Sequence, residues 1–431
     1  MMRIFFYLLL LTWFCSCSPL SKPALTKKFK TIEADLHDHT GFMLYDPDKK
    51  KTVFEFNAAK YFTPASNTKI FTMFASLKIL GDSVPALRYV QSGDSLIFWG
   101  TGDPSFLYKN TFDNSRVYNF LKNAPGQLYF SSTNFHTSNL GAGWAWDDYN
   151  DYYSAERSPF PVYGNVFSVK LEAGSPQIYP SYFRRFYSKG EQKERNQFIR
   201  EIYSNDFKFH PGKRKSATNE WEIPIRIDKD IIIQLLDDTL KRKVIPVSKL
   251  IPATTKTLHS IPMDSLFRVL MQESDNFIAE QLLLMCADAV SDTLQPEIAV
   301  KYVKENFLQD LADEPAWVDG SGLSRFNLFT PRSIVQMWQK LYVLVPRERL
   351  FPLLAIGGKT GTIRKYYKGD EAPYVFGKTG SLSNNHNISG YVVTKSGKTL
   401  IFSFMNNNFV APSSKVRINM EEILKMIYER Y

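Results

Sequence analysis

Phe62-Thr63-Pro64-Ala65-Ser66-Asn67-Thr68-Lys69 opens the stretch on which the reading of this chain turns. It runs into Ile70, Phe71, Met73, Phe74, Leu77, Ile79 and Leu80, an apolar, helix-forming segment closed by Gly81. Positions i and i+3 share a helix face, so the spacing sets the Lys69 amine over the Ser66 hydroxyl. A free serine is a poor nucleophile and needs a base within hydrogen-bond reach. The helix N-terminus adds partial positive charge where negative charge would develop. For Lys69 to act as that base its pKa must fall, as burial beside a second cation such as Lys378 would make it do. A capping serine beside a solvated lysine has the same letters. The motif needs companions.

Two follow in order. Ser274-Asp275-Asn276 is a turn-like run that interrupts or begins a helix carrying Leu282, Leu283, Leu284 and Met285. Ser274 is suited to relay a proton between Lys378 and a leaving group, and Asn276 to orient substrate and Lys69. Ser, Asp and Asn are also the preferred helix caps. Lys378-Thr379-Gly380-Ser381 is the third, and it has a rival in Lys359-Thr360-Gly361-Thr362. The Lys378 copy follows Tyr374–Gly377 and precedes a turn, Ser383–Asn387, and then Ile388–Val393. That is strand, tight turn, strand, which puts the motif on a sheet edge beside a cleft. The Lys359 copy follows a glycine pair and reads as a loop. Lys378 and Thr379 are therefore assigned to an anionic carboxylate, with Gly380 in the same substrate-binding run. The Ser381 N–H would join the Ser66 N–H as an oxyanion hole. S-x-x-K, S-D-N and K-T-G in this order mean serine acyl transfer.

Other chemistries fail on spacing. Gly-Lys-Thr runs start at Gly358, Gly377 and Gly397, but Leu353, Ala372 and Val392 stand where a phosphate loop needs its first glycine. Around Gly320-Ser321-Gly322 the offset is wrong for an esterase elbow. The six histidines form no H-E-x-x-H, and no Cys/His zinc spacing occurs. No metal or other cofactor is expected.

The chain has 431 residues, 44% hydrophobic and 15% aromatic, enough for a large core and two or three domains. The formal charge is +10, and runs such as Lys49–Lys51 and Lys213–Lys215 read as solvated turns. A mildly basic surface favours anionic envelope polymers, and nothing resembles a nucleic-acid module. Met1-Met2-Arg3 and the apolar run Ile4–Phe14 read as a secretory signal over residues 1–17, too short to span a bilayer. Phe14-Cys15-Ser16-Cys17 closes it as an imperfect lipoprotein-type site, so Cys17 is the expected lipid attachment point and the protein would be exported to the periplasm or envelope. With the signal removed, Cys286 has no cysteine partner and reads as core packing.

The expected organisation is a split domain, residues 26–85 and 255–431, interrupted by an insertion over 86–254. Gly41–Tyr45 and Thr52–Phe56 read as a strand pair. Leu96–Trp99, Gln127–Phe130, Asn165–Leu171 and Ile223–Ile227 read as strands of the insertion. Ile261–Asp292, Pro331–Leu344 and Lys415–Tyr431 read as helical.

These motifs, with Gly100-Thr101-Gly102-Asp103-Pro104, Gly143-Trp144-Ala145-Trp146-Asp147-Asp148, Glu273–Glu280 and Asp319-Gly320-Ser321-Gly322-Leu323-Ser324-Arg325, resemble the class C low-molecular-mass penicillin-binding proteins. That is the D-Ala-D-Ala carboxypeptidase/endopeptidase family. The resemblance runs from about Gly41 to the end and is loose at Pro159–Asn165 and Tyr182–Val247. It implies an α+β fold: a β-lactamase/transpeptidase-like core of antiparallel sheet and helical cluster, with a large strand-rich insertion forming one or two extra domains. It also implies peptidoglycan stem peptides or crosslinks as substrates, a Ser66 acyl-enzyme, and β-lactams as covalent inhibitors. Two other readings stand beside it. One is a β-lactamase-like esterase or hydrolase, against which the insertion argues. The other is a silent peptidoglycan-binding envelope protein, against which an intact set of five motif side chains argues.

Overall fold

The computed structural model describes residues 21–431 apart from 109–110, 113–114, 173 and 215–218. The expected signal over residues 1–17, Cys17 and Lys215 lie outside the described residues. Among those described, the main sheet has six strands: β1 (His39–Asp46), β2 (Lys51–Phe56), β3 (Ala355–Ile356), β4 (Val375–Leu382), β5 (Asn385–Val393) and β6 (Thr399–Asn407). They are antiparallel throughout, in spatial order β3-β4-β5-β6-β1-β2. His39 faces Asn407 and Phe42 faces Phe404 across β1 and β6. The two ends of the described chain thus build one sheet.

Strand β6 is apolar on both faces because both faces are covered. Side chains alternate along a strand, so Phe402 and Phe404 join one core while Ile401 and Met405 join another. The first core lies under α1 (Lys22–Leu36) and the C-terminal helix, where the Phe29 ring packs on Phe42, Phe54 and Phe404. The second lies under a helical cluster: α2 (Lys69–Ile79), α3 (Met263–Gln272), α4 (Asn276–Ser291) and α5 (Pro331–Leu344). Helix α4 is buried from Phe277 to Asp288. A helix apolar nearly all round belongs at the centre of a large core, and α4 is that helix. The C-terminal helix, α6, spans Ser413–Arg430.

Between α2 and α3 the chain makes three further sheets. The outgoing strand Lys256–Pro262 pairs antiparallel with the incoming strand Ser83–Ser92, Leu258 opposite Leu87. Beside them lie Ser95–Gly100, Gln127–Ser131 and Val244–Pro246, completing a five-stranded sheet. Val166–Glu172 pairs with Ser175–Tyr179 and Glu220–Pro224, and Phe207–His210 with Tyr187–Lys189 and Gln197–Arg200. This part has its own apolar core, including Leu87, Phe98, Phe130, Phe167 and Leu236. Polar contacts tie it to α4. The Gln281 amide donates to the carbonyls of Gly102 (2.7 Å) and Ser158 (2.9 Å) and accepts from the Ser158 N–H (3.1 Å).

Several expected elements differ. The helical stretch read over Ile261–Asp292 is a strand end, α3, a break at Glu273–Asp275, and α4. The strand read over Ile223–Ile227 lies at Glu220–Pro224, with one further backbone bond from the Ile225 N–H to the Asn165 carbonyl at 3.0 Å. Helices at Lys22–Leu36, Ser115–Asn123, Lys229–Leu240 and Pro296–Phe307 were not expected from the sequence.

Candidate active site

The turn Ala65–Thr68 precedes α2 and carries Ser66. Ala65 sits at φ +48°, a left-handed conformation that non-glycine residues adopt at a cost. The surroundings hold it there. A relay runs from Trp338 Nε1 to Ser389 Oγ (2.9 Å) and from the Ser389 hydroxyl to Asn67 Oδ1, tying the turn to α5 and β5. Asn387 donates to the carbonyls of Thr63 and Pro64, each at 3.0 Å. Two glycines let neighbouring backbone approach. A Cβ on Gly380 would stand 2.4 Å from Pro64 O and 2.9 Å from Asn67 N; one on Gly322 would meet Ala65 O at 1.9 Å. The glycine of K-T-G is thus a steric necessity of packing β4 against the Ser66 turn.

Lys69, the first residue of α2, is fully buried. Its Nζ lies 2.9 Å from Ser66 Oγ, 2.6 Å from Asn276 Oδ1 and 2.7 Å from the Ser321 carbonyl. Three donors meet three neutral acceptors. Burial lowers the Lys69 pKa to about 8, while Asp319, Asp275 and Glu280 pull it back upward from a distance.

Ser274 occupies the break between α3 and α4 at φ +63°. That turn lets Asp275 cap α4 through the Ile278 N–H (2.9 Å) and brings Ser274 Oγ to 2.7 Å from Lys378 Nζ. Lys378 is fully buried, and burial, then the Lys69 charge, drives its pKa well down. The sequence reading expected burial beside Lys378 to lower Lys69; burial is the first cause in the fold, and the Lys69 charge in turn lowers Lys378. A carboxylate arriving beside Lys378 would restore its charge.

Beside these groups is a cleft of about 1020 Å³ lined by Ser66, Ser274, Asn276, Thr379 and Ser381 among others. Of the expected catalytic and substrate-binding residues, Ser66, Ser274, Asn276, Thr379 and Ser381 line it, while Lys69 and Lys378 lie buried behind them, bonded to Ser66, Asn276 and Ser274, and Gly380 packs against the Ser66 turn. The rival copy, Lys359–Gly361, is a turn as expected, but it is not remote. Thr379 Oγ1 donates to Thr362 Oγ1 at 2.7 Å, so the residue after the rival motif reaches the cleft wall.

Sequence reasoning also missed Glu280. It is fully buried, accepts from the Ser321 N–H (2.7 Å) and faces Arg157 at 3.5 Å. Burial, then nearby Asp319, pushes its carboxyl up to about 7. Asp319 takes the N–H groups of Gly322 (2.8 Å) and Ser324 (2.7 Å), fixing the loop whose carbonyl holds Lys69. A charged residue inside an apolar helix was the available signal. Cys286 is buried, its thiol raised to about 12, and packs 3.7 Å from Ser76 Oγ. No group of three or more His, Cys, Asp or Glu side chains able to hold a metal occurs among the described residues.

Comparison with known proteins places this geometry. The chain is 22% identical to the D-alanyl-D-alanine carboxypeptidase DacB of Haemophilus influenzae over 418 residues, 85% of each chain. Its fold matches the crystal structure of penicillin binding protein 4 (dacB) from that organism with a TM-score of 0.76 at 20% identity, covering 95% of this chain and all of the other. A predatory endopeptidase from Bdellovibrio bacteriovorus, solved acylated by penicillin G, matches with a TM-score of 0.51 at 14% identity over 90% of this chain and 92% of its own. The D-Ala-D-Ala carboxypeptidase 3 (S13) family model matches residues 25–427, and with nearly all of the described chain inside that match, the chain belongs to this family.

Proposed function

We propose that this enzyme cleaves the D-alanyl-D-alanine bond of peptidoglycan stem peptides, or the equivalent bond of a crosslink, through an acyl-enzyme on Ser66. Neutral Lys69 takes the Ser66 proton, and Oγ attacks the carbonyl carbon between the two D-alanines. The oxyanion rests on the N–H groups of Ser66 and Ser381. Ser274 gives a proton to the departing amine and is resupplied from Lys378. The terminal carboxylate sits against Lys378, Thr379 and Ser381. The proton held by Lys69 refills Lys378, which leaves Lys69 neutral again; water then releases the acyl group, giving its proton to Lys69, which returns it to Ser66 Oγ.

The observation that carries this reading is the Lys69 amine, buried, 2.9 Å from Ser66 Oγ and, among the described residues, touched by no carboxylate. An ion pair there would keep the lysine charged; neutral acceptors and burial leave it free to be a base. The expected test is covalent labelling by a fluorescent penicillin, with the adduct located by peptide mass spectrometry. The adduct belongs on Ser66, and Ser66→Ala should fold and lose it. Labelling that persists in Ser66→Ala sinks the assignment.

We further propose export and lipid attachment at Cys17, supported by the basic start, apolar run and cysteine of residues 1–17. No helix among the described residues is long and apolar enough to cross a membrane. Replacing Cys17 with alanine should release the protein from membranes; retention would refute the anchor. Residues 86–254 we take as the inserted unit, since the strands that lead into and out of it pair with each other.

A further inference from the structure

A second cavity, about 250 Å³, adjoins the cleft. It shares Thr362, Thr379 and Ser381 with the cleft but not Ser66, so it lies past the residues assigned to the terminal carboxylate. Its far side is formed by His386 of β5, Arg417 of α6 and Tyr366. No carboxylate side chain lines it. The Arg417 guanidinium makes no hydrogen bond or ion pair among the described residues and lies 5.8 Å from the Tyr366 ring centre. His386 is buried and hydrogen-bonded through Nδ1 to Ser381 Oγ at 2.7 Å. Thr362 Oγ1 accepts from Thr379, which leaves its own proton for a ligand. A guanidinium without a carboxylate partner, facing hydroxyl donors in a recess, is the chemistry of an anion site.

We propose that this cavity is a second anion subsite, centred on Arg417, that receives a carboxylate on the leaving half of a crosslinked substrate. The inference rests on the proposed function and deepens it. Order along the cleft selects the leaving half: the attacked carbonyl is at Ser66, the first carboxylate at Thr379 and Ser381, and the cavity comes next. A single terminal D-alanine has only that first carboxylate and stops short of Arg417. A peptide leaving group continues, and its next carboxylate has Arg417 to meet. The subsite would therefore favour cutting crosslinks over trimming ends.

The test compares three substrates: a linear stem peptide ending in D-Ala-D-Ala, a crosslinked dimer with a free acceptor carboxylate, and the same dimer amidated there. The unaltered enzyme should prefer the free carboxylate over the amide by about tenfold in KM, the worth of one charge-assisted contact. Arg417→Gln should erase that preference and Arg417→Lys should retain part of it, with both variants still labelled by penicillin as a check on folding. Equal effects of Arg417→Gln on linear and crosslinked substrates would assign Arg417 to the first carboxylate and overturn the proposal. No preference in the unaltered enzyme would overturn it too. Loss of the proposed function itself reads differently: no turnover of any of the three and no Ser66 adduct.

Discussion

Glu280 holds Lys69 through one residue: its carboxyl accepts the Ser321 N–H at 2.7 Å, and the Ser321 carbonyl accepts from Lys69 Nζ at 2.7 Å. A buried acid on α4 thereby sets the position of the proposed base on α2, without touching it. The loop between them can approach because Gly320 and Gly322 have no Cβ to strike the Ala279 and Ala65 carbonyls.

That linkage has a pH signature. Burial raises the Glu280 carboxyl from 4.5 to about 7 in the fold. A raised acid contributes stability that is present at low pH and lost as pH climbs from its ordinary value through the folded one. Glu280→Gln cannot titrate, yet its amide oxygen can still accept from Ser321. The stability of the unaltered protein relative to Glu280→Gln should therefore decline between about pH 4.5 and 7. Melting temperatures of the two proteins across that range measure it. A gap that stays flat would mean Glu280 does not titrate there.

Lys69 supplies a second profile, of opposite sign. Burial lowers its pKa to about 8, so the neutral base becomes more abundant as pH rises through that value. Stopped-flow acylation by a penicillin should climb about tenfold per pH unit below the midpoint and level above it. Stability should rise as well between about pH 8 and the ordinary lysine range, because the unfolded chain there binds the extra proton. Lys69→Arg cannot give up its proton and should slow acylation by a factor on the order of 10³. Rapid acylation by that variant would remove Lys69 from the role of base.

Gly380 tests the steric reading of K-T-G. The Cβ of Gly380→Ala would sit 2.4 Å from Pro64 O, against backbone that Asn387 pins with two hydrogen bonds. Neither β4 nor the Ser66 turn can retreat freely, so the variant should lose about 1–3 kcal/mol of stability. Penicillin acylation should fall by more than tenfold, since a shift of the strand also moves Ser381. Chemical denaturation and labelling rates read the two effects separately. Unchanged acylation would show that the strand relaxes without cost.

The side chains proposed for catalysis could be picked out in the sequence because each belongs to a short motif whose local geometry is fixed by a helix start, a turn or a strand. Ser66 and Lys69 share a face whatever surrounds them, and β4 with its turn to β5 announces itself by alternation and by Ser383–Asn387. Glu280, Asp319 and Thr362 act on the site from far along the chain, and no local pattern reports a hydrogen bond between residues 280 and 321. The break at Ser274 was visible as a turn, but not its left-handed backbone. In the insertion, short strands of mixed aromatics gave approximate positions only, since their pairing partners are set by tertiary contacts. The helix Lys229–Leu240 has a legible Asp228 cap, bonded to the Ile231 N–H at 2.8 Å, and went unread.

The two Lys-Thr-Gly copies give the last prediction. Lys378 is buried beside Ser274, whereas Lys359 is exposed on its turn. Lys359→Ala should therefore act like its unaltered parent in carboxypeptidase assays, and Lys378→Ala should abolish turnover. The neighbour of the rival motif behaves otherwise. Thr362 takes the Thr379 proton at 2.7 Å and so turns that hydroxyl's lone pairs, and its own proton, toward the cleft. Thr362→Val keeps the shape and removes the Thr362 hydroxyl, the one of the two whose proton is free to reach a carboxylate. One neutral hydrogen bond, about 1 kcal/mol, corresponds to a rise of about fivefold in KM with kcat little changed. Steady-state kinetics on a linear D-Ala-D-Ala peptide read this directly. A fall in kcat at constant KM would instead place Thr362 in the chemical step, and a deficit in Lys359→Ala equal to that of Lys378→Ala would overturn the choice between the copies.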